Sequence, residues 1–227
     1  MLEALMTYVP TTGWTAASIP ARRPGCGPLR RTFDLAVSLL LLVALLPLLL
    51  TIHVAVRLTS PGPGIFLQRR VGLCGRVFHI YKFRTMVVDA DARLAEHLAA
   101  DDLASLEYRM FRKLRHDPRV TPVGAFLRKY SLDELPQLLN VALGDMSLVG
   151  PRCYLPEEVP AMEGHDLEIL SVLPGITGLW QVSGRNGTTF AERVRLDIAY
   201  VRQSSVLLDL RILLKTVAVV LTARNAC

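Results

Sequence analysis

Between Leu35 and Val56 the chain reads LAVSLLLLVALLPLLLTIHVAV, about 22 residues with no Asp, Glu, Lys or Arg. As one straight helix it would be roughly 33 Å long, enough to cross the hydrocarbon core of a bilayer. Hydropathy alone reads it as a single spanning helix. Pro47, however, removes a backbone hydrogen bond inside the run and divides it into a front arm and a shorter back arm. Basic residues also flank both ends: Arg22, Arg23, Arg30 and Arg31 before it, Arg57, Arg69, Arg70 and Arg76 after it. A spanning helix carries such charge mainly on one side of the membrane. Here both ends ask for the same side, which a kinked helix that enters one leaflet and returns satisfies. The pattern predicts a re-entrant membrane helix over 29–58, after a flexible lead-in at 1–28 and before a cytoplasmic domain at 59–227.

The composition agrees with membrane contact. The 227 residues are 51% hydrophobic, with a mean hydropathy of +0.34. A net charge of +6 favours an anionic partner: nucleic acid, an acidic membrane surface or a phosphorylated substrate. Nucleic acid is the poorest of these, because no aromatic–basic patch or helix-turn-helix signal is present. Cys26, Cys74, Cys153 and Cys227 are scattered without CxxC or histidine spacing, which reads as reduced thiols in a cytosolic setting.

After the abrupt turn Ser60-Pro-Gly-Pro-Gly64, the runs Ile65–Val71 and Arg76–Phe83 read as a β-hairpin across Gly72–Gly75. Lys82 and Arg84 stand two apart, on one face of an extended strand. Two cations there could grip a diphosphate; in isolation, solvated surface charge is the commoner outcome. Residues 89–113 are Ala/Leu-rich with acids early and bases late, a solvated helix or helical pair. His97 and His116 lack partners at ligand spacing. Farther on, Leu173–Asn186 brings Gly175, Gly178 and Gly184 beside Trp180, Gln181 and Arg185, a turn whose backbone could approach a ligand closely. Arg193 and Arg195 read as solvated charge. Leu196–Val201 and Leu207–Leu221 are apolar helical segments, the last an interfacial helix that lies on the membrane or packs under the domain, with Lys215 and Arg224 as snorkelling residues.

Ser131–Arg152, SLDELPQLLNVALGDMSLVGPR, sets two adjacent carboxylates before an apolar helix. Ser131-x-x-Glu134 fits a capping box, with Pro136 in the first turn. On that reading Asp133 and Glu134 only balance the helix dipole. The same helix start also keeps carboxylates ionised and attracts phosphate, so Asp133 beside a bound phosphoryl group is a possible nucleophile. The segment alone leaves both readings open.

Lys82-Phe-Arg-Thr-Met86, Asp117-Pro-Arg119, Ser131-Leu-Asp-Glu-Leu-Pro-Gln-Leu138, Gly144-Asp-Met-Ser-Leu-Val-Gly-Pro-Arg152, Pro174-Gly-Ile-Thr-Gly178 and Leu196-Asp197 follow one another in order. Over about residues 30 to 225 this series closely resembles the bacterial sugar transferases, monotopic polyprenyl-phosphate phosphoglycosyl transferases. The resemblance implies transfer of a sugar-1-phosphate from a nucleoside diphosphate sugar to a polyprenyl phosphate, usually undecaprenyl phosphate. Such transfer begins exopolysaccharide, capsule, O-antigen or glycoprotein glycan assembly at the cytoplasmic face of the bacterial inner membrane. It implies Asp133 as nucleophile, Glu134 as its partner, and Mg2+ held at this pair. It also implies substrate binding by Lys82, Arg84, Arg152 and Asp197, with Gln181 and Arg185 towards nucleotide or sugar. Cys153 stands where the family often has proline.

The expected fold is α+β: a mostly helical monotopic domain with a Pro-kinked re-entrant helix, a small β-hairpin and interfacial amphipathic helices. Inner-membrane lipids are then partners as well as substrates, nucleic acid is not, and helical packing leaves room for a homodimer. The alternative class is a single-pass membrane scaffold with a basic lipid-binding domain.

Overall fold

Pro47 has no amide hydrogen to give the carbonyl of Val43, so the helical ladder fails just ahead of it. The computed structural model describes residues 27–111, 114, 116–184 and 188–222. In it the run divides into α1 (Pro28–Ala44) and α2 (Leu46–Thr59), bent by 62°. Leu45 lies at the break; its amide still reaches the Leu41 carbonyl. At about 1.5 Å per residue the arms of 17 and 14 residues are each shorter than the roughly 30 Å hydrocarbon core. Among the described residues no single helix is long and apolar enough to cross a membrane; only the bent pair qualifies, taken together. The lead-in to Cys26, with Arg22 and Arg23, and the tail from Ala223 lie outside the described residues.

One face of α1 carries exposed Leu39, Leu40 and Val43, while the other enters the domain. Asp34 is buried and accepts hydrogen bonds from the Ser147 hydroxyl at 2.7 Å and the Leu148 amide at 3.1 Å. Arg30 donates to the Val149 carbonyl and the Tyr200 hydroxyl, each at 2.6 Å. Arg31 donates to the carbonyls of Val141 and Ala142. The arginines read as flanking charge therefore also donate to backbone carbonyls of the domain.

The hairpin forms as expected. β1 (Ile65–Val71) pairs antiparallel with β2 (Val77–Phe83), from Ile65 opposite Phe83 to Val71 opposite Val77. The charged stretch is a helical pair, α3 (Ala90–Ala100) and α4 (Asp102–Phe111), split where Asp101 turns its carboxylate onto the amides of Leu103 and Ala104. α5 (Pro122–Lys129) starts on Thr121, whose hydroxyl accepts the Gly124 amide. A short 3-10 turn, Leu132–Glu134, then leads to α6 (Gln137–Leu143).

Beyond α6 lies a second sheet that the sequence reading treats as turns. β3 (Ser147–Val149) runs parallel to β4 (Gly175–Thr177). A Cβ on Gly175 would collide with the Gly150 backbone, and one on Gly178 would do the same. These glycines thus serve close approach of two chain segments. α7 (Asp166–Ile169), α8 (Leu179–Ser183), α9 (Phe190–Gln203) and α10 (Val206–Thr222) complete the domain. Phe78, Ile80, Leu138, Val141, Met146, Leu148, Tyr200 and Ile212 form its main core, against which Val37, Leu41 and Leu45 of the bent pair are packed.

Asn140 joins the two halves of the site. Fully buried on α6, it accepts from the Tyr81 amide at 3.0 Å and donates to the His79 carbonyl at 2.7 Å, tying α6 to β2. Asn140→Ala strands both backbone groups, each worth about 1–3 kcal/mol when buried without a partner. It is expected to destabilise the fold by about 3 kcal/mol, checked as a fall in the melting temperature of the detergent-purified protein.

Candidate active site

β2 delivers Lys82 and α5 delivers Arg128, and between them the chain reverses through Tyr130 and Ser131. Ser131 sits in the left-handed region at φ 55°, ψ 24°, which a non-glycine residue occupies at a cost of about 1 kcal/mol. An N-cap requires extended backbone, so the capping box expected from Ser131-x-x-Glu134 does not form. The α-helix begins only at Gln137, after Pro136. Leu132 and Leu135 pack against Phe83 and Leu127, which anchors the turn on its apolar side. The two carboxylates are left for chemistry.

Lys82 Nζ donates to Glu134 Oε1 at 2.6 Å, across 52 residues of sequence. Burial works against the Lys82 ammonium, yet Glu134 and Asp133 together hold its pKa above the ordinary lysine value. Burial, and then the charge of Glu134, push the Asp133 carboxyl up to about 6, with Lys82 and Arg128 pulling it back. Arg128 is the residue missed by the sequence reading, which passes α5 as a lead-in. Its Nε donates to the Thr85 hydroxyl at 2.9 Å, and α5 can lie this close because Gly124, with no Cβ, rests on the Thr85 backbone.

Arg84 corrects the expected two-pronged grip. The strand ends at Phe83, and Arg84 is buried, donating to the carbonyls of Ser60 at 2.6 Å and Pro61 at 2.8 Å. It fastens the exit of α2. The register instead gives Lys82 a different companion. Residues paired across an antiparallel hairpin share a face, so Lys82 opposite Phe66 and Arg70 opposite Phe78 lie on one side of the sheet. Alternation within Gln68-Arg69-Arg70 is the signal that singles out Arg70.

Arg70 donates to the Cys153 carbonyl at 3.1 Å and approaches Glu158 at 3.9 Å. Arg152 reaches the same carboxylate at 3.4 Å and stands over Trp180, 5.7 Å from the ring centroid. Arg193, dismissed from sequence as solvated charge, covers Trp180 as well at 5.4 Å. Burial and then Arg152 lower the Arg193 guanidinium pKa. Three guanidiniums thus gather around Glu158, a concentration of charge suited to phosphate oxygens. Cys153, next to Arg152, lies in the electrostatic reach of Arg70, Lys82 and Glu134, which links this cluster to the acidic pair.

Asp197 lies beneath the cluster with no exposed surface. Its Oδ2 accepts from the Tyr154 hydroxyl at 2.7 Å and the Arg152 amide at 3.1 Å. Burial pushes its carboxyl up to about 7, against the pull of Tyr154 and the Arg152 amide. Asp197 thereby fixes the turn that carries Arg152. Gln181 packs over Gly178 in α8, with Oε1 buried and unpaired by protein, and faces the acidic pair across a cavity. Arg185 lies outside the described residues.

Two adjacent oxygen donors with mutually repelling charge suit Mg2+, which is commonly bound by one or two carboxylates with substrate phosphates and water completing the shell. Among the described residues no group of three or more His, Cys, Asp or Glu is placed to cage a metal, so such an ion would rely on the substrate.

Comparison with known proteins places this geometry in context. The pattern of the family described as bacterial sugar transferase matches residues 27–223. The chain is 44% identical over 216 residues to the exopolysaccharide production protein ExoY of Sinorhizobium fredii, covering 93% of this chain and 96% of that protein. It is 46% identical over 198 residues to the undecaprenyl-phosphate galactose phosphotransferase of Salmonella typhimurium, 87% of this chain but 41% of that longer protein. It is 39% identical over 201 residues to the UDP-glucose:undecaprenyl-phosphate glucose-1-phosphate transferase of Xanthomonas campestris, 85% of this chain and 39% of that protein.

Proposed function

The chain belongs to the bacterial sugar transferase family, and from that premise we propose that it transfers a sugar-1-phosphate from a UDP-sugar to undecaprenyl phosphate. The observation that carries this reading is the acidic pair held against Lys82 beside an arginine cluster, at the foot of the bent helix pair. The named activities of the Salmonella and Xanthomonas relatives support the acceptor, and the latter name supports the donor.

The reaction runs in two displacements. An Asp133 oxygen attacks the sugar-bearing phosphorus, the bond to the bridging oxygen breaks, and UMP leaves with that electron pair. An oxygen of undecaprenyl phosphate then attacks the same phosphorus, releasing the Asp133 carboxylate and forming the undecaprenyl diphospho-sugar. Splitting the transfer through a covalent aspartyl phosphosugar lets the soluble and lipid substrates use one position in turn. Lys82 and Arg128 offset charge beside the nucleophile, while Arg152, Arg70 and Arg193 suit the departing nucleotide phosphate. Asp133 and Glu134 are the residues that would hold Mg2+, which when bound neutralises the diphosphate. The exposed apolar faces of α1, α2 and α10 are read as lying in the cytoplasmic leaflet of the inner membrane, with both ends of the hairpin on one side.

The test incubates the detergent-purified protein with a panel of UDP-sugars labelled in the β-phosphate. One donor is expected to release UMP without lipid and leave label on the protein, which undecaprenyl phosphate then discharges into a lipid product. UMP release that depends strictly on lipid, with no labelled protein, would overturn the two-step scheme.

A further inference from the structure

Behind the acidic pair lies a cavity of about 210 Å³ that the reaction scheme leaves unused. Well-packed interiors hold few voids larger than a water molecule, and water needs polar partners to occupy one. This cavity offers few. Its walls are mainly Leu41 and Leu45 at the bend of the helix pair, Leu138 of α6, Ile176 of β4, Val182 of α8 and Val219 of α10, with the unpaired Gln181 Oε1 among them. The hydroxyls of Thr177 and Thr216 in the wall are bonded to each other at 2.7 Å. One end is different: Ser131 and Glu134 line it, next to Asp133 and Lys82.

The walls identify the occupant. A slot that is apolar along its length, with carboxylates and cations at one end, complements a molecule with a phosphate head and a hydrocarbon tail. Two of its walls come from elements whose outer faces are exposed and apolar. Leu207, Leu210, Leu214 and Val217 of α10 are exposed on one side, while Thr216, Val219 and Val220 face the cavity on the other. A tail lying among lipids against α10 reaches the slot without passing through water. We propose that this cavity receives the first isoprene units of the polyprenyl phosphate acceptor and aims its phosphate at the Asp133 phosphosugar. The proposal rests on the phosphosugar-transfer reading above.

Two measurements test it. In the first, farnesyl phosphate bearing a diazirine in its first isoprene unit is photolysed with the wild-type protein, without donor sugar. Label is expected in the peptides holding Leu138, Ile176–Val182 or Thr216–Val220, displaced by undecaprenyl phosphate and not by equal phosphatidylglycerol. Label elsewhere, or equal displacement by the phospholipid, overturns the proposal by making the cavity a general acyl-chain crevice. In the second, Val219→Trp fills the slot, while Leu214→Trp puts the same bulk on the exposed side of α10. The Val219 variant is expected to raise KM for undecaprenyl phosphate about tenfold or more, with KM for the UDP-sugar moving less than about twofold, and the Leu214 variant to track wild type. Equal effects on both KM values, or none on either, overturn it. Photolabelling needs no turnover, so a wild type that labels in the cavity but never releases UMP would sink the reaction and keep the berth.

Discussion

Asp133→Asn is expected to abolish the labelled protein intermediate and to cut UMP release by at least about a thousandfold, the scale seen when a covalent nucleophile is removed. The amide cannot attack phosphorus, and no other carboxylate is placed to replace it, because Glu134 is engaged by Lys82 at 2.6 Å. The same variant is expected to be more stable than wild type at neutral pH. Burial and Glu134 lift the Asp133 carboxyl from 3.8 to about 6 in the fold, so the folded state disfavours its charge. For a carboxylate raised in this way, stability is lost as pH climbs from the unfolded value to the folded one. The advantage of the Asn variant should therefore grow between pH 4 and about 6 and then level off, at about 3 kcal/mol. Thermal melts across that range check the sign. A variant that stays active, or one whose melting temperature falls throughout, contradicts the assignment.

Lys82→Met should be nearly as damaging, by a different route. Wild-type UMP release requires ionised Asp133, so it is expected to fall about tenfold per pH unit below about 6. Removing the ammonium leaves two adjacent carboxylates with less compensation, and the Asp133 value rises further. The acid limb then shifts upward by about one pH unit, and the rate on the plateau falls about 100- to 1,000-fold as a phosphate partner disappears. Lys82→Arg, which keeps the charge, should restore the limb more fully than the plateau. A Met variant with an unmoved limb would show that Lys82 does not govern the nucleophile.

Local rules made part of this arrangement legible in advance. The hairpin strands emerge within a residue of expectation because period-two alternation and glycine punctuation act over a few residues. The bend at Leu45 follows from a proline whose missing amide is a local fact. The acidic pair is visible for the same reason, but its setting is not. Ser131 adopts a left-handed conformation because Leu132 and Leu135 are pulled into a core assembled from α2, β2 and α5, and no capping rule anticipates that. Arg84 looks like the companion of Lys82 until the strand ends one residue early and its guanidinium turns to Ser60 and Pro61. Arg70, Arg128 and Arg193 acquire meaning only from contacts made far along the chain. β3 and β4 are three residues each and pair in parallel, a partnership too short and too distant for periodicity to reveal.

The hydrogen bonds from Arg30, Arg31 and Asp34 into the domain carry a practical consequence. The greasy hairpin is no detachable anchor, since excising it would strand backbone partners around Ser147–Val149 and open the main core along Val37 and Leu41. Trimming back to residue 60 would therefore yield a molten remnant, not a smaller enzyme.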